Sequence, residues 1–174
     1  MAIHTLKVFA LVCVACLATA ACEQIDPYYK ELVEWVRPGE GRAPGERMKS
    51  RAEDVWAREN CSNRPLPFLR LDTNEVHPAV VKPGEKLNHR LVYTLCADPR
   101  YGAIYGRNRT TLYYDSRKIY TNATDDFALK AGEWIVDADL VVPYDAKPGT
   151  YWLEAEFKGP GASFRDRTSF VVEP

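Results

Sequence analysis

The sequence predicts a mainly β fold: a sandwich of about seven antiparallel strands, preceded by a short helical segment. Three observations carry this. From residue 68 onward, apolar residues recur at every second position in short runs, the period of strands with one buried face. Turns rich in Pro and Gly, such as Lys82-Pro83-Gly84-Glu85 and Lys158-Gly159-Pro160-Gly161, separate the runs. No helical pattern lies between them.

The chain of 174 residues is long enough for one domain with a proper core, and 46% hydrophobic with 27% charged residues is a globular composition. The net charge of −1 provides no global field to recruit nucleic acid or an anionic membrane. Residues 1–21 read as a signal peptide. Lys7 precedes the apolar or small run Val8–Ala21, which is shorter than the roughly 20 apolar residues a spanning helix needs.

The segment Thr19-Ala20-Ala21-Cys22 resembles the bacterial lipobox, with Thr19 where that motif usually carries Leu. The resemblance implies cleavage before Cys22 and its diacylation, so that the protein meets the membrane through an N-terminal lipid. Ordinary cleavage after Ala20 or Ala21 is the alternative. It would leave a free thiol, a liability in an oxidising compartment. Cys13 and Cys16 leave with the signal, so Cys61 and Cys96 remain as an even pair. A disulfide is expected, with two separate buried thiols as the alternative. Closing that loop of 35 residues contributes roughly 3–4 kcal/mol on the chain-entropy model.

Residues 22–62 read as a helical segment and linker, and 63–174 as the sandwich. Asp26 can cap a first helix with Pro27 at its first position, Leu32, Val33 and Val36 make its apolar stripe, and Pro38-Gly39 stops it. Glu40–Gly45 is a loop. A second helix is predicted over Glu46–Glu59, with Met48, Ala52, Val55 and Trp56 on one face. Both helices would pack on the sandwich or lead to it from the lipid; a partner-binding helical hairpin is the sharper alternative.

In the sandwich, Phe68–Leu71 and Val76–Val81 form a first strand interrupted at Asp72-Thr73-Asn74, with Pro78 suited to a sheet edge. Leu87–Cys96 turns Leu87, His89, Leu91, Tyr93 and Leu95 to one face. Ala97–Asn108, with Gly102 and Gly106, is long enough for a binding loop. Arg109–Tyr114 and Arg117–Tyr120 are strands joined by a tight turn at Asp115-Ser116, and Thr121–Asp126 is polar and loop-like. Glu133–Val142 alternates cleanly, with Trp134, Val136, Ala138, Leu140 and Val142 on one face. Tyr151–Phe157 alternates strictly, Tyr151, Leu153, Ala155 and Phe157 against Trp152, Glu154, Glu156 and Lys158. Phe164–Val172 closes the fold, and Asp166 within its apolar set implies a bulge or a shallow position.

The order Asp145, Gly149, Tyr151 resembles the tyrosine corner of immunoglobulin-like sandwiches, in which a Tyr at the start of a strand bonds back to the backbone just upstream. The resemblance to an immunoglobulin-like or fibronectin-III-like domain covers roughly Phe68–Pro174. It departs from antibody-type domains at Leu153, where those carry their second Cys, and in the third strand, which has Leu112 and Tyr114 but no Trp. It implies a scaffold used for adhesion, assembly and spacing; a fold does not assign a function.

No catalytic or cofactor motif appears: no nucleophile elbow, phosphate loop or dinucleotide fingerprint. His77 and His89 stand singly, without acids at ligand spacing. Asp125 and Asp126, with Asp137 and Asp139, could hold calcium weakly, although alternating acids on an exposed strand face are more often solvated. An enzyme is the least favoured class, and no cofactor is expected.

Binding points instead to Asp98–Tyr120. Five cations against two acids give this segment a net charge of +3, and it holds five tyrosines. Tyr offers amphipathic contact area at low entropic cost, and Arg adds hydrogen bonds and stacking. The candidate contact residues are Arg100, Tyr101, Tyr105, Arg107, Arg109, Tyr113, Arg117 and Tyr120. The alternative is that Leu112 and Tyr114 are core while the rest merely decorate a surface. A glycan would use the rings; a protein partner would use rings and Arg together; nucleic acid is disfavoured. Asn60, Asn108 and Asn122 open glycosylation sequons that would be idle in a bacterium. The sequence thus points to a non-enzymatic lipoprotein of the bacterial envelope, periplasmic or surface-facing, acting as an interaction or assembly module. A glycan- or small-ligand-binding module is the runner-up.

Overall fold

A computed structural model describes residues 42–174. The signal peptide, Cys22 and the helix expected before Pro38 lie outside the described residues. Nine strands form two facing sheets, a β-sandwich, where the sequence suggested about seven. The elements are β1 (Gly45–Ser50), α1 (Ala52–Arg58), a short 3-10 turn (Cys61–Asn63), β2 (Phe68–His77), β3 (Val80–Val81), β4 (Lys86–Cys96), β5 (Ala103–Tyr114), β6 (Arg117–Lys130), β7 (Gly132–Val141), β8 (Gly149–Gly159) and β9 (Ala162–Val172). One sheet has the order β1-β7-β4-β2 and the other β3-β9-β8-β5-β6. All pairings are antiparallel except β3 with β9.

Four sequence expectations are corrected. Glu46–Ser50 is not helix: it lies in β1, which pairs with β7, and only Ala52–Arg58 is helical. The period of two is visible in hindsight, because Arg47 and Lys49 both point to one face and meet Asp137 and Glu133. A seven-residue helix cannot stand alone; α1 is held by buried Val55, which packs with Cys61 and Cys96. The chain therefore joins the sandwich at Gly45, ahead of the boundary expected at 63. Thr121–Asp126 is not a loop but part of β6, whose polar Thr and Asn residues need no apolar alternation because both faces are exposed there. Ala103–Asn108 is likewise strand, so the expected binding loop shrinks to 97–102. The first strand is not interrupted at Asp72-Thr73-Asn74, where a bulge between Leu71 and Thr73 absorbs the polar residues; it breaks instead at Pro78-Ala79, after which β3 pairs in the other sheet.

Other features follow the sequence closely. Asp115 and Ser116 take φ of 48° and 62°, the left-handed pair of a two-residue hairpin turn. Asp166 sits at a shallow, exposed position in a regular register with Ala155 and accepts a bond from Asn74 Nδ2 at 3.2 Å. Cys61 and Cys96 are disulfide-bonded, Cα to Cα 5.9 Å. The bond ties the end of β4 to the turn after α1.

The core between the sheets is divided. One cluster holds Val76, Val81, Leu87, Val142, Tyr151, Leu153, Phe170 and Val172; a second holds Tyr93, Leu95, Ala97, Leu129 and Phe157. Between the two clusters, Leu91 on β4 apart, strand after strand places small or polar residues. They are Asn74 on β2, His89 on β4, Ala138 on β7, Asn108 and Thr110 on β5, Ala155 on β8 and Asp166 on β9. His89 is buried at this waist, 2.8 Å from Asn74 Oδ1.

The corner residues lie at the first cluster. Gly149 has φ +141°, and a Cβ there would stand 3.1 Å from the Tyr114 ring. The Tyr151 hydroxyl donates to the Lys147 carbonyl at 2.9 Å. Tyr114, beside it at 4.7 Å between centroids, donates its own hydroxyl to the Pro148 carbonyl at 3.1 Å. Two tyrosines therefore pin one turn. Asp145 makes no side-chain hydrogen bond there among the described residues.

Candidate functional site

β5 spreads the candidate contact residues along its whole length instead of gathering them. Tyr105 and Tyr114 are nine residues apart on one strand, roughly 30 Å at about 3.3 Å per residue. Arg100, Tyr101 and Tyr105 fall at the end of the sandwich that carries the disulfide; Arg117 and Tyr120 fall at the other end, on β6. Arg107, Arg109 and Tyr113 lie between them, on the outer face of the second sheet.

On that outer face the arginines are already engaged. Arg109 and Lys158 clamp Glu156; Arg165 and Arg167 clamp Glu154 at 2.8 and 2.6 Å. Tyr113 donates to Glu154 at 3.3 Å, with the Arg167 guanidinium 4.6 Å from its ring centroid. Arg107 faces Asp125. Burial opposes ionisation of Glu154, but Arg165 and Arg167 outweigh it and hold the carboxyl below its usual range. The Lys158 ammonium does the same for Glu156, with Arg109 adding to it against burial. The first sheet repeats the device: Asp137 is clamped by Arg47 and Arg90, each at 2.8 Å. Its solvated reading is therefore corrected, because cations from the flanking strands cover it. No three His, Cys, Asp or Glu side chains converge as metal ligands among the described residues.

The disulfide end carries an arrangement with the shape of a binding site. A cleft of about 430 Å³ is lined by Leu66, Pro67, Tyr101, Ile104, Tyr105 and Pro160, with Ala97, Asp98 and Ala103. Tyr101 and Tyr105 are 72% and 61% exposed, and so present their rings to solvent rather than to the core. Three stretches build it. The Leu66–Pro67 peptide is cis and leads into β2. The 97–102 loop is closed by the Tyr101 and Gly102 amides, both donating to the Asp98 carbonyl. The β8–β9 turn brings Pro160 across. Gly161 has φ +70°, and a Cβ on it would stand 3.0 Å from Pro67, so this wall admits only glycine without strain.

Asp98 is the lone carboxylate of the lining. The Arg100 guanidinium and backbone amide bond to it and hold its pKa down to about 2, so it stays ionised and occupied. The lining carries no His, no Cys and no second carboxylate. It can bury an apolar or aromatic group and offer two phenol hydroxyls at the rim. Sequence reasoning named Tyr101 and Tyr105 among eight candidates and did not name Leu66, Pro67, Ile104 or Pro160. Pro-containing linkers and turns were the only signal for three of these four.

No protein-family model and no curated protein sequence matches the chain. Solved structures similar to it include the alkylpurine DNA glycosylase AlkC of Pseudomonas fluorescens, bound to DNA containing an abasic site analog, at 17% identity and TM-score 0.43 over 61% of this chain and 30% of that one. The sporulation control protein Spo0M of Bacillus subtilis is similar at 14% identity and TM-score 0.44, over 61% and 49%. A CARDB domain from Pyrococcus furiosus, in complex with di-metal ions, is similar at 14% identity and TM-score 0.39, over 63% and 97%. The chain thus spans less than a third of the first of these and about half of the second.

Proposed function

We propose that this chain is a non-enzymatic interaction module of the bacterial cell envelope, tethered through a lipid on Cys22, that engages an envelope protein through the aromatic cleft at its disulfide end. The observation that carries this is the pairing of exposed Tyr101 and Tyr105 over an apolar floor of Leu66, Pro67 and Pro160. Interface hot spots favour such aromatic residues beside desolvated apolar pockets, and the volume falls in the range of small binding clefts. A disulfide supports an exported location, where thiols are oxidised. The cleft lining lacks the paired acid and base, nucleophile or metal ligands that catalysis would use.

A photo-crosslinking residue at Tyr101, installed in cells making the full chain, tests the cleft. A discrete protein adduct is expected at Tyr101, lost when Tyr105 is changed to Ala, with none from the same probe at Tyr144, 86% exposed elsewhere on the fold. No adduct at Tyr101, or equal adducts from both positions, overturns the cleft. Binding on a glycan array that Tyr101→Ala abolishes would replace the protein partner with a carbohydrate. The tether is tested separately. Cys22→Ala should release the mature protein into the soluble fraction, and an unmodified N-terminus in mass spectra of the native protein would overturn it.

A further inference from the structure

Among the described residues β6 ends the five-stranded sheet and pairs only with β5, so its outer edge of backbone donors and acceptors, 14 residues long, has no strand beside it there. The ten residues Arg117–Asp126 are all exposed. The opposite edge of the same sheet is the two-residue strand β3. Long free edges are sites of strand addition, and natural proteins blunt them unless they are used. Here the edge is charged, and its charges are sorted. Arg117 and Lys118 stand at one end, Asp125 and Asp126 at the other, with Ile119, Tyr120, Thr121, Asn122, Ala123 and Thr124 between. Arg117, Lys118 and Asp126 have no ion-pair partner among the described residues, and Asp125 meets Arg107 only loosely, at 3.4 Å with both side chains exposed.

We infer that β6 is a self-complementary edge, and that two copies of this chain pair there antiparallel about a two-fold axis. In a continuous sheet, opposed residues must point to the same face. A two-fold axis normal to the sheet then has to pass through a residue pair of one identity. The longest stretch that pairs with β5 without a register shift is Tyr120–Thr124, and its centre is Asn122. Pairing about Asn122 sets Tyr120 against the partner's Thr124 and Thr121 against the partner's Ala123. It also lays Arg117 and Lys118 alongside the partner's Asp125 and the partner's Asp126, twice by symmetry. Parallel pairing in register would lay cations on cations and acids on acids. Because the other edge of this sheet is only Val80–Val81, addition stops at two copies: the product is one ten-stranded sheet, not a fibre. This pairing is argued apart from the cleft: its centre, Asn122, stands opposite Thr110 on β5, whereas the cleft takes Ala103, Ile104 and Tyr105 of that strand.

The test uses the full chain with Asn122→Cys, expressed in its own compartment. A disulfide-linked dimer is expected on non-reducing gels, with none from Tyr144→Cys. Reversing the basic end (Arg117→Glu with Lys118→Glu) or the acidic end (Asp125→Lys with Asp126→Lys) should each weaken self-association, read by sedimentation without the added cysteine, by on the order of tenfold. Mixing the two reversed variants should restore pairing, as should carrying all four changes in one chain. Circular dichroism confirms that each variant folds. Trapping that is indifferent to charge reversal, or reversed variants that pair with themselves as well as the parent does, overturns the proposal.

Discussion

His89 makes the stability of the sandwich depend on pH in a window where few other groups titrate. It is 5% exposed at the polar waist, with Asn74 Oδ1 2.8 Å from Nε2, so the neutral ring that donates from Nε2 satisfies the contact. Burial lowers its pKa from 6.5 to about 4, against the opposing pull of the Asp137 carboxylate. In the unfolded chain the imidazole takes up a proton below about 6.5; in the fold it does so only near 4. Between those values the unfolded state holds more protons, so stability falls as pH falls. Two and a half pKa intervals at 1.36 kcal/mol each make the whole effect about 3 kcal/mol, of which about 2–3 kcal/mol is lost between pH 7 and 4.5. Urea melts of the full chain at pH 7, 5.5 and 4.5, run beside His89→Gln, read it directly. Gln keeps a donor near Nε2 and has no charge to gain, so its curve should be nearly flat where the parent falls. Parallel curves, or an imidazole resonance of His89 that titrates near 6.5 in the folded protein, would refute the reasoning.

Tyr151→Phe removes only the hydroxyl that bonds to Lys147, and should cost about 1 kcal/mol, because water can reach the carbonyl of an exposed residue; Tyr101→Phe in the cleft rim should stay within about 0.5 kcal/mol in the same melts. Replacing Cys61 and Cys96 together by Ser should lower stability by roughly 3 kcal/mol and loosen α1, seen as faster hydrogen exchange at Val55. Glu154→Gln should cost about 1–2 kcal/mol at pH 7, where the carboxylate is charged and clamped. Since the folded carboxyl ionises below its unfolded range, that loss should vanish in acid, as the parent is protonated; a gap that persists at pH 2 would mean the clamp is not electrostatic.

The strand reading succeeded where one face is dry. On β8 the alternation put Tyr151, Leu153, Ala155 and Phe157 inside, and all four are buried. It failed where neither face is dry. β6 from Thr121 to Asp126 has no apolar period to detect, since its only structural demand is the backbone pairing with β5. β1 was lost for a related reason: its two informative residues are Arg47 and Lys49, and their periodicity is one of charge. Met48, spaced helically from Ala52, Val55 and Trp56, is 52% exposed and sits opposite Trp134 at the sheet edge.

Alternation also says which side of a sheet a residue is on without saying whether that side is wet. Glu154 and Glu156 do point outward, yet they are 2% and 3% exposed, because Arg side chains from neighbouring strands and Lys158 of their own strand lie across them. The arginines come from β5 and β9, so their share of the burial is a property of register, which a single sequence does not specify. The same limit splits the Tyr- and Arg-rich segment. Counting its residues gave eight equal candidates. Pairing Arg109 with Glu156 and Arg100 with Asp98 occupies two of the arginines, and of the exposed rings Tyr101 and Tyr105 stand over an apolar floor. That floor exists because Phe68 pairs with Cys96 and Gly159 with Ala162, which brings two Pro-bearing turns, distant in sequence, against the start of β5.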